Sequence, residues 1–306
     1  MSEKSSRPVV LLTAIGLEYR AVSAQLGEVR GLTHEGTRYD IGSVEGSARQ
    51  VVLAQAGPGN VRTAVLAEQM RMRFKPCAIL FVGVAGSLKA DVELGDVVVA
   101  DKIYAYDGSK HVADAEFARP AAWEPSHALL QTARHALERG AGWRERILVD
   151  GLRPACPWPE VHFKPVAAGE TVLDSATSRL RERFMREYND AVAVEMESAG
   201  LATAAVLGGF EMLTIRGISD RADGSKASAD GGGGQQIAAA HAAAAAAAVI
   251  AALPADEELA GTPEEAGTER PGSHPRNMKQ INRADRRGVV NAVQGGNQTV
   301  THGLPE

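Results

Sequence analysis

The sequence predicts an α/β domain built on a central, mostly buried β-sheet, and three observations carry this prediction. Continuous apolar runs, such as residues 8–15 and 161–168, are typical of strands that are covered on both faces. Segments with helical periodicity separate these runs along residues 8–253. Acidic residues follow several of the predicted strands, as Asp220 follows residues 211–218. Open α/β sheets bind ligands at the carboxyl ends of their strands, so this pattern also indicates a site for a small molecule.

The predicted elements follow from these patterns along the chain. The predicted strands are apolar or alternating runs at residues 8–15, 37–44, 48–55, 78–82, 97–103, 161–168, 191–194 and 211–218. The predicted helices are residues 16–26, 61–74, 128–139, 178–187, 198–207 and 237–253. Asn60 suits the N-cap of the second helix. Residues 83–87 read as a glycine-rich turn, and residues 104–127 read as irregular.

The composition is that of an ordinary soluble protein, with 44% apolar and 23% charged residues. A formal charge of −5 argues against nucleic acid as a partner, which calls for a basic surface. Cys77 and Cys156 form no disulfide framework, so we expect a reducing, cytoplasmic compartment. We expect neither a signal peptide nor a membrane span, since the most apolar run, residues 237–253, is shorter than about 20 residues.

The composition changes after the predicted domain of residues 8–253. Proline, glycine, threonine and acidic residues dominate the next stretch, which predicts a disordered linker over residues 254–280. Residues 281–306 are predicted to form a short C-terminal tail with a hairpin around Gly295 and Gly296. We interpret the tail as a tether or as an appendage that binds a protein partner, because its basic character alone does not indicate nucleic-acid binding.

Three acidic residues close behind predicted strands are the candidate catalytic groups: Glu18, Glu197 and Asp220. Glu18 and Glu197 also suit the first turn of a helix, where the macrodipole favours a negative charge. Because the three follow different strands, we expect them to meet at one edge of the sheet, which indicates acid/base chemistry on a small molecule. Residues 83–87 match neither glycine-rich nucleotide motif, and the histidines show no metal-ligand spacing. Spacing alone leaves the reaction open.

Five motifs, in order along residues 8–253, carry a resemblance to a known family. They are Thr13-Ala14-Ile15-Gly16-Leu17-Glu18, Val82-Gly83-Val84-Ala85-Gly86, Leu94-Gly95-Asp96-Val97-Val98-Val99, Val194-Glu195-Met196-Glu197 and Arg216-Gly217-Ile218-Ser219-Asp220. In these motifs the chain resembles the nucleoside phosphorylase superfamily, and within it is most similar to 5′-methylthioadenosine/S-adenosylhomocysteine nucleosidases. The resemblance implies a phosphorylase/hydrolase-like three-layer domain, with a central mixed β-sheet flanked by helices. It also implies a purine nucleoside substrate, no metal or cofactor, and a homodimer whose neighbouring subunit completes the 5′ pocket.

The resemblance assigns roles to nine residues of this sequence. Glu18 resembles the acid that activates the attacking water, and Asp220 resembles the acid that protonates purine N7. Glu197 resembles the residue that grips the ribose hydroxyls. The supporting positions are Met196 under the sugar, Ser219 and Arg216 orienting Asp220, Val84 in place of a serine that contacts the sugar, and the backbone of Val172 and Leu173 along a strand edge that reads adenine.

The expected reaction is hydrolysis of the N-glycosidic bond, with release of adenine. Phosphorylase relatives bring an arginine to the glycine-rich turn, whereas this sequence has Phe81 before it, which leaves no cation for a phosphate. Val172 also replaces the aromatic residue that usually stacks on adenine, and residues 224–234 replace a segment that usually supplies an aromatic to the 5′ pocket. Two alternatives therefore stay open: a nucleosidase acting on adenine nucleotides as a bacterial conflict or regulatory effector, and a non-catalytic module that binds adenosine derivatives.

Overall fold

The computed structural model describes residues 6–140, 142–149, 158–224 and 233–254. The chain divides into two units, Met1–Gly261 and Thr262–Glu306, and every described residue belongs to the first. The predicted linker after Pro254, the tail and its hairpin lie outside the described residues.

The described elements alternate along the chain much as the apolar runs predict. The strands are β1 (Val9–Thr13), β2 (Leu26–His34), β3 (Thr37–Val44), β4 (Gln50–Gln55), β5 (Ala78–Ser87), β6 (Val97–Ala105), β7 (Ser109–Val112), β8 (Ala115–Ala118), β9 (Ala121–Trp123), β10 (Val161–Ala168), β11 (Ala193–Glu195) and β12 (Glu211–Asp220). The helices are α1 (Gly16–Ser23), α2 (Asn60–Phe74), α3 (His127–Arg134), α4 (Arg179–Glu187), α5 (Ser198–Gly208) and α6 (Gly234–Ala251). A π-helical turn (His135–Arg139) extends α3, and a 3₁₀ turn (Trp143–Arg146) follows it.

Ten strands form one mixed sheet, in the order β11-β10-β6-β12-β5-β1-β4-β3-β2 with β9 paired to β6. Strand β11 pairs with β10 on one side and, antiparallel, with the end of β5 on the other. Strands β5, β12, β6, β10 and β11 therefore close into a ring. At the closure Ser87 is paired with Ala193, and Gly86 is paired with both Val194 and Asp220. The ends of the acid-bearing strands β11 and β12 thus meet at one place.

Helices cover both faces of the sheet. Val9 and Leu11 of β1 belong to the core that includes α3 and α6, whereas the alternate residues Val10 and Leu12 belong to the core that includes α2 and α5. This alternation is the period-two pattern of a strand buried on both faces. The predicted α/β fold, with a central mixed sheet flanked by helices in three layers, is confirmed.

Helix α6 is the alanine-rich run, and it packs in the core of the domain. By length and composition it is the one helix among the described residues that is suited to cross a membrane, but 72% of it is buried within the protein. Gly217 of β12 allows the close approach, because a Cβ there would lie 1.9 Å from the carbonyl oxygen of Ala238. His241 donates from Nδ1 to the carbonyl oxygen of Gly95 (2.6 Å), which ties the helix to the start of β6.

Away from the cavity, the structure differs from the sequence-based predictions at three places. Strand β2 was not predicted, because its side chains are mostly exposed and it therefore lacks an apolar run. Residues 104–127, predicted to be irregular, contain the β7–β8 hairpin and β9. Asn60 is the first residue of α2 and Gly59 is the N-cap. The Asn60 side chain instead accepts a hydrogen bond from the backbone N–H of Gly200 (2.9 Å), which joins α2 to α5.

Candidate active site

A cavity of about 340 Å³ lies where β1, β5, β11 and β12 end. Eight of the nine predicted site residues line it: Glu18, Val84, Val172, Leu173, Met196, Glu197, Ser219 and Asp220. The ninth, Arg216, lies beneath the cavity and is fully buried. The three acids thus line one cavity, as their positions behind separate strands led us to expect.

Glu18 is held in a fixed orientation by three backbone N–H groups. Its Oε2 accepts from Ala14 (2.7 Å) and Ile15 (3.1 Å), and its Oε1 accepts from Val84 (2.8 Å) on the neighbouring strand β5. The bond from Ile15 caps α1, so the helix-capping interpretation of Glu18 is correct as well. Burial raises the pKa of Glu18 above its ordinary value, although Arg216 and the N–H donors act in the opposite direction.

The glycine-rich segment after Val82 is the last part of β5, not the predicted turn. A Cβ at Gly83 would lie 2.5 Å from both Glu18 Oε1 and Arg216 Nη1. A Cβ at Gly86 would lie 2.9 Å from Asp220 Oδ1. The glycines are therefore required because functional side chains from α1 and β12 cross directly over this strand.

Arg216 is the one guanidinium among the described residues at the base of the site. It stacks on the ring of Phe81, with 4.4 Å between the guanidinium carbon and the ring centroid. Its Nη2 donates to Glu195 and to Glu197 Oε2 (3.2 Å), and its Nη1 donates to the carbonyl oxygen of Val84 (3.3 Å). Arg216 thus neutralises part of a buried cluster of carboxylates, which are costly to bury unpaired.

These contacts correct two predictions. The hydrogen bonds of Arg216 go to Glu195, Glu197, Ser198 and Val84, so the prediction that Arg216 orients Asp220 is wrong. The second prediction was that the glycine-rich segment has no cation beside it, but Arg216 of β12 lies there. It has no exposed surface and is committed to two carboxylates, so it is not available to a phosphate in the cavity.

Glu195 and Glu197 have different roles at the start of α5. Glu195 accepts from the backbone N–H groups of Glu197 (3.0 Å) and Ser198 (3.1 Å), so it caps the helix. Glu197 makes no such cap, and its Oε1 accepts from the N–H of Gly59 (3.1 Å), which precedes α2. Glu197 is therefore free of the helix-capping role that its position suggested.

Glu195 is a site residue to which the sequence analysis gave no role. Burial raises its pKa, and the guanidinium of Arg216 opposes that rise. Its signal was present, since it lies within the motif Val194-Glu195-Met196-Glu197. The same holds for five further lining residues, which also lie within the motifs: Ala14, Ile15, Ala85, Gly86 and Val194. Pro58, Thr171 and Gln235 had no signal in the sequence, because packing alone brings them to the cavity.

Asp220 is the last residue of β12, at a bulge in its pairing with β5. Its Oδ2 accepts from the hydroxyl of Ser219 (2.8 Å), and its Oδ1 accepts from the backbone N–H of Ala222 (2.9 Å). Both carboxylate oxygens are therefore oriented, and the predicted orienting contact from Ser219 is present. The residue is buried but lines the cavity.

Val172 and Leu173 lie in the loop after β10, not along a strand edge as predicted, because β10 ends at Ala168. Two hydrogen bonds fix the start of this loop: the hydroxyl of Tyr106 donates to the carbonyl oxygen of Thr171 (2.8 Å), and the N–H of Gly169 donates to the carbonyl oxygen of Glu195 (3.1 Å). The side chain of Leu173 is buried, whereas that of Val172 is 56% exposed.

One group of side chains in the described ranges has the composition of a metal site: Asp96, Glu160 and His162. His162 Nε2 donates to Asp96 (2.8 Å), which also accepts from the backbone N–H groups of Glu93 and Glu160. The pair raises the pKa of His162 and lowers that of Asp96. These bonds occupy both carboxylate oxygens of Asp96 and join the start of β6 to β10.

The sequence model of the Phosphorylase superfamily matches residues 8–253 of this chain. The chain belongs to this superfamily, which confirms the resemblance predicted from the five motifs. It is 28% identical over 222 residues to the 5′-methylthioadenosine/S-adenosylhomocysteine nucleosidase of Chromohalobacter salexigens, covering 71% of this chain and 85% of the relative. It is 31% identical over 195 residues to the nucleosidase of the same name from Maridesulfovibrio salexigens, covering 62% and 76%.

A further relative and two solved structures add to this comparison. The ATP nucleosidase Cap17 of Escherichia coli is 27% identical over 240 residues, which cover 72% of this chain but 47% of the relative. The 5′-methylthioadenosine/S-adenosylhomocysteine nucleosidase of Neisseria meningitidis superposes with a TM-score of 0.67 at 20% identity, covering 81% and 100% of the two chains. The futalosine hydrolase of Helicobacter pylori superposes with a TM-score of 0.64 at 20% identity, covering 80% and 97%. These structures share the fold of this chain.

Proposed function

We propose that this protein is a hydrolase that cleaves the N-glycosidic bond of adenine nucleosides and releases adenine. The observation that carries the proposal is that Glu18, Glu197 and Asp220, from three separate elements, line one cavity. The similarity to 5′-methylthioadenosine/S-adenosylhomocysteine nucleosidases over most of their length supports the same reaction class.

In the proposed reaction, the acids act on two parts of the nucleoside. Asp220 gives a proton to N7 of the purine as the bond between C1′ and the base breaks, and the base leaves with the bonding electrons. Glu18 takes a proton from the attacking water, whose oxygen bonds to C1′ and yields free ribose. The two carboxyl groups thus act as acid and base on either side of an oxocarbenium-like sugar, as in inverting glycosidases.

The other lining residues position the substrate in this proposal. Glu197 accepts from the ribose hydroxyls, Met196 packs under the sugar beside Val84, and the backbone of Val172 and Leu173 reads the edge of adenine. The loop that carries the last two is anchored by Tyr106 and Glu195, which supports a fixed base-binding surface. Loss of the usual aromatic at position 172 is expected to weaken stacking on the base.

Water is favoured over phosphate as the nucleophile. The cavity lining contains no lysine or arginine among the described residues, and four of its members are acids: Glu18, Glu195, Glu197 and Asp220. A phosphate dianion in this surrounding meets net negative charge without a cation to pair with it. Glu18, by contrast, is suited to accept a proton from a neutral water molecule.

The test is to identify products by mass after incubation with adenosine, 5′-methylthioadenosine, S-adenosylhomocysteine, AMP, ADP and ATP, each with and without phosphate. We expect adenine and the free ribose derivative, at a rate independent of phosphate. Formation of a ribose 1-phosphate would show a phosphorylase. Binding without release of adenine would favour the non-catalytic module.

The similarity to Cap17 supports a second candidate, a nucleosidase acting on adenine nucleotides as a bacterial conflict or regulatory effector. The acidic lining of the cavity argues against it, because the triphosphate needs cations that the described lining residues do not provide. Release of adenine from ATP faster than from adenosine would establish this alternative.

Glu197 is expected to determine recognition of the ribose hydroxyls. Glu197→Gln should lower kcat/KM for adenosine by about 10- to 100-fold, the range for loss of a charge-assisted hydrogen bond, and should affect 2′-deoxyadenosine far less. The measurement is the ratio of kcat/KM for adenosine to kcat/KM for 2′-deoxyadenosine. If the substitution also disturbs Arg216, that disturbance lowers both values alike and leaves the ratio unchanged. Equal kcat/KM for the two substrates in the native protein would contradict the assignment.

A homodimer is part of the proposal, supported by an exposed apolar face on the packed helices α2 and α5. Its members are Val61, Val65, Met72, Val206 and Leu207, each more than half exposed. Such a patch is typical of a protein–protein interface.

Val65→Glu combined with Leu207→Glu should convert the dimer to a monomer in light-scattering measurements. Val29→Glu, at an exposed apolar position on β2, is the matched control, and a native monomer would refute the proposal.

The proposed location is the cytoplasm, supported by the low cysteine content, and the proposed role of residues 281–306 is to bind a protein partner.

A further inference from the structure

One part of the cavity lining has no role in the proposed reaction. It consists of Ile15 after β1, Pro58 before α2, and Gln235 in the first turn of α6, and we call these three residues the third wall. The other lining residues either have a role in the proposed reaction or directly adjoin one that does: Ala14 donates to Glu18, Ala85 and Gly86 follow Val84, Thr171 precedes Val172, and Val194 and Glu195 precede Met196. The third wall is therefore left for the remaining group of the nucleoside, the substituent at C5′.

Neighbouring contacts support this placement of the 5′ group. Gly59, which follows Pro58, donates its N–H to Glu197 Oε1 (3.1 Å), so the third wall adjoins the carboxylate assigned to the ribose hydroxyls. In a ribonucleoside C4′, which bears the 5′ carbon, is bonded to C3′, which bears a hydroxyl. A substituent at C5′ therefore leaves the ring next to the residue that holds that hydroxyl.

The third wall consists of two apolar side chains, Ile15 and Pro58, and the carboxamide of Gln235. Gln235 is half-buried, and its side chain forms no hydrogen bond within the part of the chain that the structure describes. A carboxamide offers two donor hydrogens and an acceptor oxygen, so it can pair with a hydroxyl group as donor or as acceptor. It provides no charge for a phosphate and no aromatic surface for a thioether.

We infer that Gln235 is a specificity-determining residue that hydrogen-bonds the 5′ hydroxyl of the substrate. The preferred class is then adenine nucleosides with a free 5′ hydroxyl, over their 5′-thioethers and 5′-phosphates. A site that hydrogen-bonds a substrate hydroxyl discriminates against an analogue that lacks it, because its own polar group is left unpaired. The inference rests on the proposed function, since it takes the positions of base and ribose from it.

The test compares the native protein with Gln235→Leu and with the control Gln236→Leu. The control makes the same chemical change one residue further along α6, at an exposed position outside the cavity lining. We expect Gln235→Leu to lower kcat/KM for adenosine by about tenfold, the scale of one hydrogen bond, and to leave 5′-methylthioadenosine within about twofold. Gln236→Leu should change neither value. Affinity for free adenine, which does not reach the third wall, should be equal in all three proteins.

Other results would overturn either this inference or the proposed function. An unchanged ratio of the two substrates in Gln235→Leu, or an equal change in Gln236→Leu, would overturn the inference while leaving the nucleosidase intact. Faster hydrolysis of AMP than of adenosine by the native protein would overturn it as well. If no nucleoside is hydrolysed, the proposed function fails, and calorimetric binding of adenosine and 5′-methylthioadenosine to the native protein and to Gln235→Leu decides the role of Gln235 separately.

Discussion

Asp220→Asn is expected to lower the turnover of an adenine nucleoside by about 10²-fold or more, the usual scale of general acid catalysis. An asparagine fits the same space, because its amide oxygen can accept from the N–H of Ala222 and its NH₂ group can donate to Ser219. It cannot release a proton to the purine. The leaving base must then depart without protonation, so the chemical step is slowed while the cavity keeps its shape.

The measurement is single-turnover release of adenine, with the affinity for adenine and the urea unfolding curve as controls for an intact fold. Ser219→Ala removes one hydrogen bond to Asp220 and leaves the carboxyl group, so its loss of turnover should be much smaller. Unchanged turnover in Asp220→Asn would exclude Asp220 as the proton donor.

Glu18→Gln is expected to lower turnover by a similar factor, about 10²-fold or more, because an amide cannot accept a proton from water. The substitution also places an NH₂ group against backbone N–H donors from Ala14, Ile15 or Val84. A buried N–H left unpaired costs about 1–3 kcal/mol, so the melting temperature should fall as well. Glu18→Asp keeps the charge but shortens the side chain, and it is the control that separates charge from position.

The raised pKa of Glu18 predicts the pH dependence of the native enzyme. Glu18 must be ionised to accept a proton, so kcat/KM falls as the pH drops through its pKa in the folded protein. Because burial raises that pKa above 4.5, the fall should begin at a higher pH than an ordinary glutamate would give. A profile of kcat/KM from pH 4 to 9 checks this, and a flat profile down to pH 4 would contradict the role of Glu18 as the base.

The sequence predicted the buried strands well, because a strand that is covered on both faces must be apolar along its whole length. The sequence did not predict strands that are not buried on both faces. Strand β2 lies at the exposed edge of the sheet, and β7 and β8 form a small separate hairpin, so none of them carries an apolar run. Residues 83–87 were misjudged for the converse reason, since their glycines reflect side chains crossing the strand and not a change of chain direction.

The candidate site was predicted largely through the positions of its acids and the order of the motifs. What the sequence did not reveal is how the charges pair. Arg216 and Glu195 are separated by 21 residues along the chain, and only the ring of strands brings them into contact. Gln235 was likewise not predicted, because a glutamine at the start of a helix has no distinctive pattern until the helix is packed against β12 and α1.

The ring of five strands also limits how such a protein can diverge. Inserting or deleting one residue in β5, β11 or β12 would turn every later side chain of that strand to the opposite face and move the carboxylates away from each other. Length changes are tolerated only in the connecting segments, which include the residues next to Pro58, Val172 and Gln235. Descendants of this chain are therefore expected to acquire new substrates through changes in loop length while keeping the same bond-breaking chemistry.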